Sequence, residues 1–233
     1  MLSKKAFFSL LLVVGVPVAA YFTVKYLSED AVVMPKRYFF DSVTEKTVKG
    51  KLVRDTAWHR ISNFRFANQL GYTVEADALK GKILIVDFFF TRCPNPCPIL
   101  TRNMKRMQDA YLKSDTLLHF ISFTVDPERD SVAALKRYAD SYKVRHNNWW
   151  MLTGPKKEIY DLAFNEFKAG IVDGGEVDTA FLHTNKFYLL DKNRVIRGWY
   201  DGTDTAALTR MARDISLLIL EKDKTKKRNL FRK

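Results

Sequence analysis

The 233-residue sequence predicts an α/β fold in which helices flank a mixed sheet, preceded by one transmembrane helix. Three observations lead there. The stretch Ala6 to Val24 runs nineteen residues without a charge, about enough to cross a ~30 Å hydrocarbon core as a helix. Ile83 to Phe90 is almost wholly apolar, β-branched or aromatic and is broken only by Asp87, which suits a central strand buried on both faces. Beyond it, apolar stripes at helical spacing alternate with short apolar runs, the form that strands and helices take when they pack in layers.

Taken in order, the N-terminal run follows Lys4 and Lys5 and is longer than a signal-peptide core of roughly 7 to 15 residues, although Val18-Ala19-Ala20 resembles a cleavage site. An uncleaved anchor over residues 1–27 is the favoured reading. The positive-inside bias keeps the dilysine cytoplasmic and sends the rest of the chain to the periplasm or an equivalent exported side, with Lys25 on the far flank opposing this. Residues 28–60 are mixed and charged, with Pro35 and Gly50 as breakers, and read as a tether with irregular or short extended structure. The compact domain spans 61–221. It opens with an expected hairpin through Ile61, Phe64, Phe66 and Tyr72 to Val74, turning at Gly71. After the Ile83 strand, Leu100, Met104, Met107 and Tyr111 mark one helix face. Leu117 to Val125 is a second buried strand, and Val132, Leu135, Tyr138 and Ala139 a second helix stripe. Trp149 to Leu152 is a short strand, and Pro155 opens a third helix carrying Ile159, Leu162, Ala163 and Phe167. Phe187 to Leu190 and Val195 to Tyr200 flank the turn Asp191-Lys192-Asn193. A helix through Leu208, Met211, Ile215 and Leu218 closes the domain, and residues 222–233 form a basic tail. Strands followed by helices, then a hairpin and a closing helix, make the thioredoxin-like layout.

The net charge of +13 raises a nucleic-acid reading. Seven Lys and Arg residues lie from Lys222 to Lys233 against the single Asp223, however, so about half of that charge sits in the tail. The remaining basic residues form no stripe and no recognised nucleic-acid motif, which argues against a nucleic-acid partner.

The chemistry concentrates between Asp87 and Leu100, where Thr91-Arg92-Cys93-Pro94-Asn95-Pro96-Cys97-Pro98 places three of the seven prolines within five residues. Proline fixes φ and removes donors, so two sulfur atoms are held stiffly as a helix begins. Unsatisfied N–H groups and the positive end of the helix favour the thiolate, which is both nucleophile and metal ligand, and Arg92 adds to this. A structural disulfide is the bland alternative, but closing so small a loop removes little chain entropy. Two thiolates hold Cu(I), and a third borderline ligand makes a better closed site. Four histidines compete: His59 before the domain, His119 inside an apolar strand, His146 in a polar loop, and His183 just before the Asn185 to Leu190 strand. A lone histidine is more often structural than ligating, and residue reasoning alone leaves this choice open.

Phe88 to Pro98, then Val125-Asp126-Pro127-Glu128-Arg129-Asp130-Ser131, then His183, resemble in order and spacing the Sco/SenC family of thioredoxin-like copper chaperones. The similarity covers roughly Ile61 to Ile219. It implies copper as the metal, Cys93, Cys97 and His183 as its ligands, a membrane anchor, and a role in assembling the dinuclear copper centre of cytochrome c oxidase. The partners it implies are the subunit carrying that centre, or another copper acceptor, and a thiol reductant. Asp126 and Asp130 survive as supporting or docking residues, with a helix cap and turn before Val132 as the alternative. Two positions depart from the family: Asn95 and Leu182 stand where Asp is common, so two negative charges are missing near the expected metal.

Two other functions compete. A thiol-disulfide oxidoreductase or peroxidase would use Cys93 as nucleophile and Cys97 as resolving thiol. Thioredoxin-type oxidoreductases, however, carry a proline before the late strand, and this chain has none after Pro155. A copper or redox sensor is the third reading. Structural zinc is disfavoured because it normally takes four ligands.

Overall fold

Every residue of Ile83–Phe89 and of Leu118–Thr124 is buried, and these two parallel strands form the middle of the sheet. A computed structural model of the chain describes residues 11–29, 33–48, 51–114, 116–169 and 184–221. They fall into two units, Met1–Met34 and Pro35–Lys233.

In the first unit a π-helical turn, Leu11–Gly15, leads into helix α1, Val16–Glu29. Apolar side chains from Leu12 to Tyr26 stand exposed along it. Among the described residues no helix is long and apolar enough to cross a membrane, and the beginning of the uncharged stretch, residues 6–10, lies outside them.

The second unit begins with a two-stranded hairpin, β1 (Phe40–Val48) and β2 (Lys51–Trp58). The sequence reading expects irregular or short extended structure here. Polar and apolar residues alternate weakly on both strands, so the pairing leaves little periodic signature. Tyr38 and Phe39 pack on Trp199, with ring centroids 4.5 and 5.9 Å away, and join this segment to the main sheet. That sheet has seven strands in the order β4-β3-β7-β6-β5-β8-β9. They are β3 (Arg65–Asn68), β4 (Thr73–Glu75), β5 (Ile83–Phe89), β6 (Leu118–Thr124), β7 (Trp149–Thr153), β8 (Lys186–Leu190) and β9 (Ile196–Asp201). The helices are α2 (Cys97–Ala110), α3 (Val132–Ser141), α4 (Lys156–Asp161) and α5 (Thr205–Leu220). The expected third helix is α4 continued by a π-helical turn, Leu162–Glu166.

Period-two alternation along the central strands divides the core in two. Ile83, Ile85 and Phe89 face a layer built on α2, α3 and α5, with Leu100, Met104, Leu135, Met211 and Ile215. Leu84, Val86 and Phe88 face the other layer, with Phe64, Phe66, Phe123, Ile159 and Phe167. Every residue of both buried clusters lies between Ile61 and Leu218, so the second unit has a complete core of its own.

Strand direction defines two poles. β5, β6 and β7 run parallel, and β8 is antiparallel to β5, with Tyr188 opposite Val86 and Leu190 opposite Leu84. The ends of β5 and β6, the start of β8 and the end of β9 therefore share one pole. The start of β5 and the β8–β9 turn share the other.

Two buried titratable groups oppose each other. Burial raises Asp87 to about 7 against a weaker hydrogen bond from Ser122, and one of its oxygens has no partner among the described residues. Burial, then the charge of Lys82, lowers His119 to about 3; both ring nitrogens are unpartnered among the described residues, and Trp150 lies edge-on at 4.2 Å. Between the unfolded Asp value near 3.9 and pH 7, the native state holds a proton on Asp87 that the unfolded state has lost, so acidification through this window stabilises. Below pH 6.5 the unfolded state protonates His119 and the native state does not, so acidification destabilises. The two slopes cancel between about pH 4.5 and 6.5, where each approaches about 1.4 kcal/mol per pH unit. Urea unfolding across this window should give His119→Phe a stability that climbs on acidification and Asp87→Asn one that declines, with the unmodified chain nearly flat. Parallel profiles for all three would refute the assignment.

Candidate metal centre

β5 delivers the chain into the cysteine loop, and the loop is tied down before either cysteine is reached. Asp130 is fully buried; its carboxylate accepts from the Thr91 N–H at 3.0 Å and from the hydroxyls of Thr91 and Thr124. Thr124 ends β6, so one carboxylate joins the ends of the two central strands. The Val125 N–H adds a bond to the Phe89 carbonyl at 2.8 Å. Asp130 is itself set by a turn in which the Asp126 carbonyl accepts from the Arg129 and Asp130 N–H groups at 3.1 and 2.9 Å. Ser131, rather than either aspartate, caps α3 with its side chain. The Asp126 side chain is nearly buried and lies 3.5 Å from the exposed Arg129 guanidinium.

Beyond Thr91, the Cys93 N–H donates to Phe90 O at 3.3 Å, and Pro96 caps a helix whose first residue is Cys97. Both cysteines are free and buried, 6% and 4% exposed, and the Cys97 N–H donates to Cys93 Sγ at 3.4 Å. A helix-start N–H thus points at the first sulfur. The sequence reading expects the start of the helix to favour the thiolate, and at Cys97 burial reverses this. Burial pushes the Cys97 thiol up, the Cys93 thiol adds to this, and the Phe90 backbone opposes it, with a smaller push from Asp87. Arg92 is exposed. Asp87 and the Thr101–Tyr138 hydroxyl pair, 2.8 Å apart, are neighbours of the site that the spacing argument does not find. The only sequence signal for Asp87 is a lone carboxylate inside an apolar run.

Of the expected third ligands, His183 lies outside the described residues, as does Leu182. His59 is 2.7 Å from Asp41 and 3.5 Å from Glu166. His146 contacts Gln69 and Asp140, and His119 is buried near the opposite pole. Among the described residues no group of three His, Cys, Asp or Glu side chains is gathered for a metal. The chain next to His183 is placed, however. β8 starts at the pole where β5 ends, and the Gly202 N–H donates to Asn185 O at 2.8 Å while Asn103 of α2 donates to Gly202 O at 2.8 Å. Gly202 is required for this close approach, since a Cβ there would stand 2.5 Å from Leu100 and 2.8 Å from Phe187. The segment that follows His183 is thereby fastened to the helix that Cys97 begins.

Removing the Asp130 carboxylate strips three donors of their acceptor, each worth about 1–3 kcal/mol when buried and unpaired. Urea unfolding of Asp130→Ala should show a loss of about 2–4 kcal/mol, whereas Asp126→Ala, whose partner Arg129 is exposed, should lose about 1 kcal/mol or less. The opposite ranking would show that Asp130 does not fasten the loop.

Comparison with known proteins finds relatives over most of the chain. Residues 54–219 match the family model described as SCO1/SenC. The chain is 32% identical over 167 residues to the SCO1 protein homolog of Bacillus subtilis (strain 168), covering 71% of this chain and 86% of that one. A solved structure of BsSco, described as a member of the Sco family of cytochrome c oxidase assembly proteins with a disulfide switch, superposes with a TM-score of 0.60 at 30% identity, covering 71% of this chain and 96% of the other. The copper-bound structure of ScoI from Bradyrhizobium japonicum superposes with a TM-score of 0.53 at 25% identity, covering 66% and 96%. With its paired thiols at the end of the central strand and a family match over most of its length, the chain belongs to the SCO1/SenC family.

Proposed function

We propose that the chain takes up one copper ion through Cys93, Cys97 and His183 and hands it to the dinuclear copper centre of cytochrome c oxidase. The observation that carries this reading is the pair of free, buried sulfur atoms at the first turn of α2, beside the pole where β8 begins two residues after Thr184. Soft thiolates select Cu(I), and an imidazole completes a three-coordinate site. Family membership and the copper-bound relative support the choice of metal.

Because Cys97 is held protonated by its burial, loading releases a proton, and metal affinity rises with pH. The prolines keep the sulfur atoms in place while an acceptor thiolate or imidazole joins the ion from the open side. The first ligands then leave, and no free copper forms. An anchor in residues 1–27 with the domain on the exported side places this exchange at a membrane surface; a thiol reductant keeps the cysteines competent. The missing charges at Asn95 and Leu182 make the site weaker for Cu(II), since groups behind the ligands change affinity by about 10 to 100-fold.

Thiol-disulfide exchange is a second reading, favoured by the 3.4 Å contact between the Cys97 N–H and Cys93 Sγ and by the disulfide switch described for BsSco. In it, the Cys93 thiolate attacks a disulfide, and Cys97 resolves the mixed disulfide after losing its proton.

Titrating Cu(I) into the reduced chain against a competing chelator should give one ion per chain. Cys93→Ser, Cys97→Ser and His183→Ala should each weaken binding by about 100-fold or more, as expected when a ligand of the ion is lost. Undiminished binding in any of the three removes that residue from the site. Leu182→Asp should tighten Cu(II) binding by about tenfold; an unchanged constant would reject the charge argument. Turnover of insulin disulfides by the metal-free chain would favour the second reading.

A further inference from the structure

The two sulfur atoms are held from different supports. Cys93 follows the loop entry that Asp130 fastens, whereas Cys97 begins α2, and among the described residues no side chain caps that helix. Its opening turn is closed by backbone alone, with the Ile99 and Leu100 N–H groups donating to Pro96 O at 2.8 and 3.1 Å. A helix start without a cap frays more readily. Support comes instead from the side. Thr101 lies four residues beyond Cys97, hence on the same face of α2. It is 2% exposed, and its hydroxyl pairs with the Tyr138 hydroxyl at 2.8 Å. Tyr138 belongs to α3 and packs against the buried layer that holds both cysteines. Its ring centroid stands 5.4 Å from that of Phe89, the last residue of β5. Burial raises the Tyr138 phenol above its ordinary value, and Cys97 is among the groups that add to this. The phenol therefore keeps its proton at neutral pH, and the hydroxyl pair persists.

We propose that Tyr138 is a positioning residue for Cys97, fixing through Thr101 the distance between the two sulfur atoms. Asp130, which ties the approach to Cys93, and Tyr138, which ties the first turns of α2, lie on one short piece of chain. Ser131 caps α3, and only about 9 Å of helix, at ~1.5 Å per residue, separates Val132 from Tyr138. A rigid helix carrying both supports works as a caliper, with one jaw on the Cys93 side and the other on Cys97. Both cysteines are free in the structure, so the caliper holds the open form. The proposal deepens the copper reading and rests on it for the metal. Two sulfur atoms set apart by the scaffold grip one ion at a fixed spacing, whereas a slack first turn lets Cys97 close on Cys93. The hydroxyl link therefore favours copper and the dithiol over a Cys93–Cys97 disulfide.

The test equilibrates the full, metal-free chain in detergent with mixtures of reduced and oxidised glutathione. As the Cys93–Cys97 bond forms, the two electrons and two protons of the thiols pass to oxidised glutathione, which leaves as two reduced molecules. Tyr138→Phe keeps the ring on Phe89 and removes the link. It should shift the equilibrium toward the disulfide by about tenfold, about 30 mV for this two-electron couple. Thr101→Val should do the same, and the double variant no more than either alone, because both delete one link. Thr101→Ser retains the hydroxyl and should stay at the native value. Cu(I) affinity should fall by about tenfold in the first three variants and hold in the fourth. Lost stability with an unmoved thiol–disulfide equilibrium would show that Tyr138 merely packs the core, and additive shifts in the double variant would show that the two hydroxyls act separately; either result overturns the proposal. An unmodified chain that takes up no Cu(I) would sink the copper reading alone, because the glutathione equilibrium needs no metal.

Discussion

The Asp130 carboxylate ties the chain just beyond β5 to the end of β6, and the entry to the cysteine loop is set there. The ladder between these parallel strands ends at Phe89 and Thr124, and the carboxylate carries the link on to Thr91. A carboxylate without solvent bridges strongly, because its acceptor capacity is met by two hydroxyls and one N–H rather than by water. The prolines then act on a loop whose entry is already fixed. Stiffness in the loop without that fixed entry would hold the sulfur atoms rigidly relative to each other but not relative to the rest of the pole, where any further ligand must arrive.

Most of this architecture was written in residue periodicity. The runs Ile83–Phe90 and Leu117–Val125 are apolar because the strands within them are covered on both faces, and their shortness and β-branched and aromatic content mark them as strands rather than buried helices. The stripes of α2 and α5 were equally plain. The β1–β2 hairpin was not, since its described residues are mostly exposed and alternate only weakly. The cysteine loop was legible because proline and cysteine have few ordinary reasons to crowd together. The function of Asp130 was only half legible: a carboxylate before a helix usually caps it, and only the fold reveals that Ser131 performs that task while Asp130 reaches back across the sheet. The roles of Asp87 and Gly202 were not legible for a different reason, because what makes each consequential is a neighbour distant in sequence.

Charge shows the same dependence on placement. The total of +13 says little by itself. The cysteine pole carries the buried carboxylates of Asp126 and Asp130 together with the exposed guanidinium groups of Arg92 and Arg129, so neither sign of charge dominates beside the sulfur atoms.

The stretch around Tyr38 has one further consequence. β9 is an outer strand, and the Tyr38 N–H donates to Ile196 O at 2.9 Å while Pro35 and Lys36 give their carbonyls to Arg197. An uncovered outer strand is a template for pairing with another chain. By laying its own incoming backbone along part of that edge, and by keeping the other edge, β4, to three residues, the protein guards against stacking edge to edge with its neighbours.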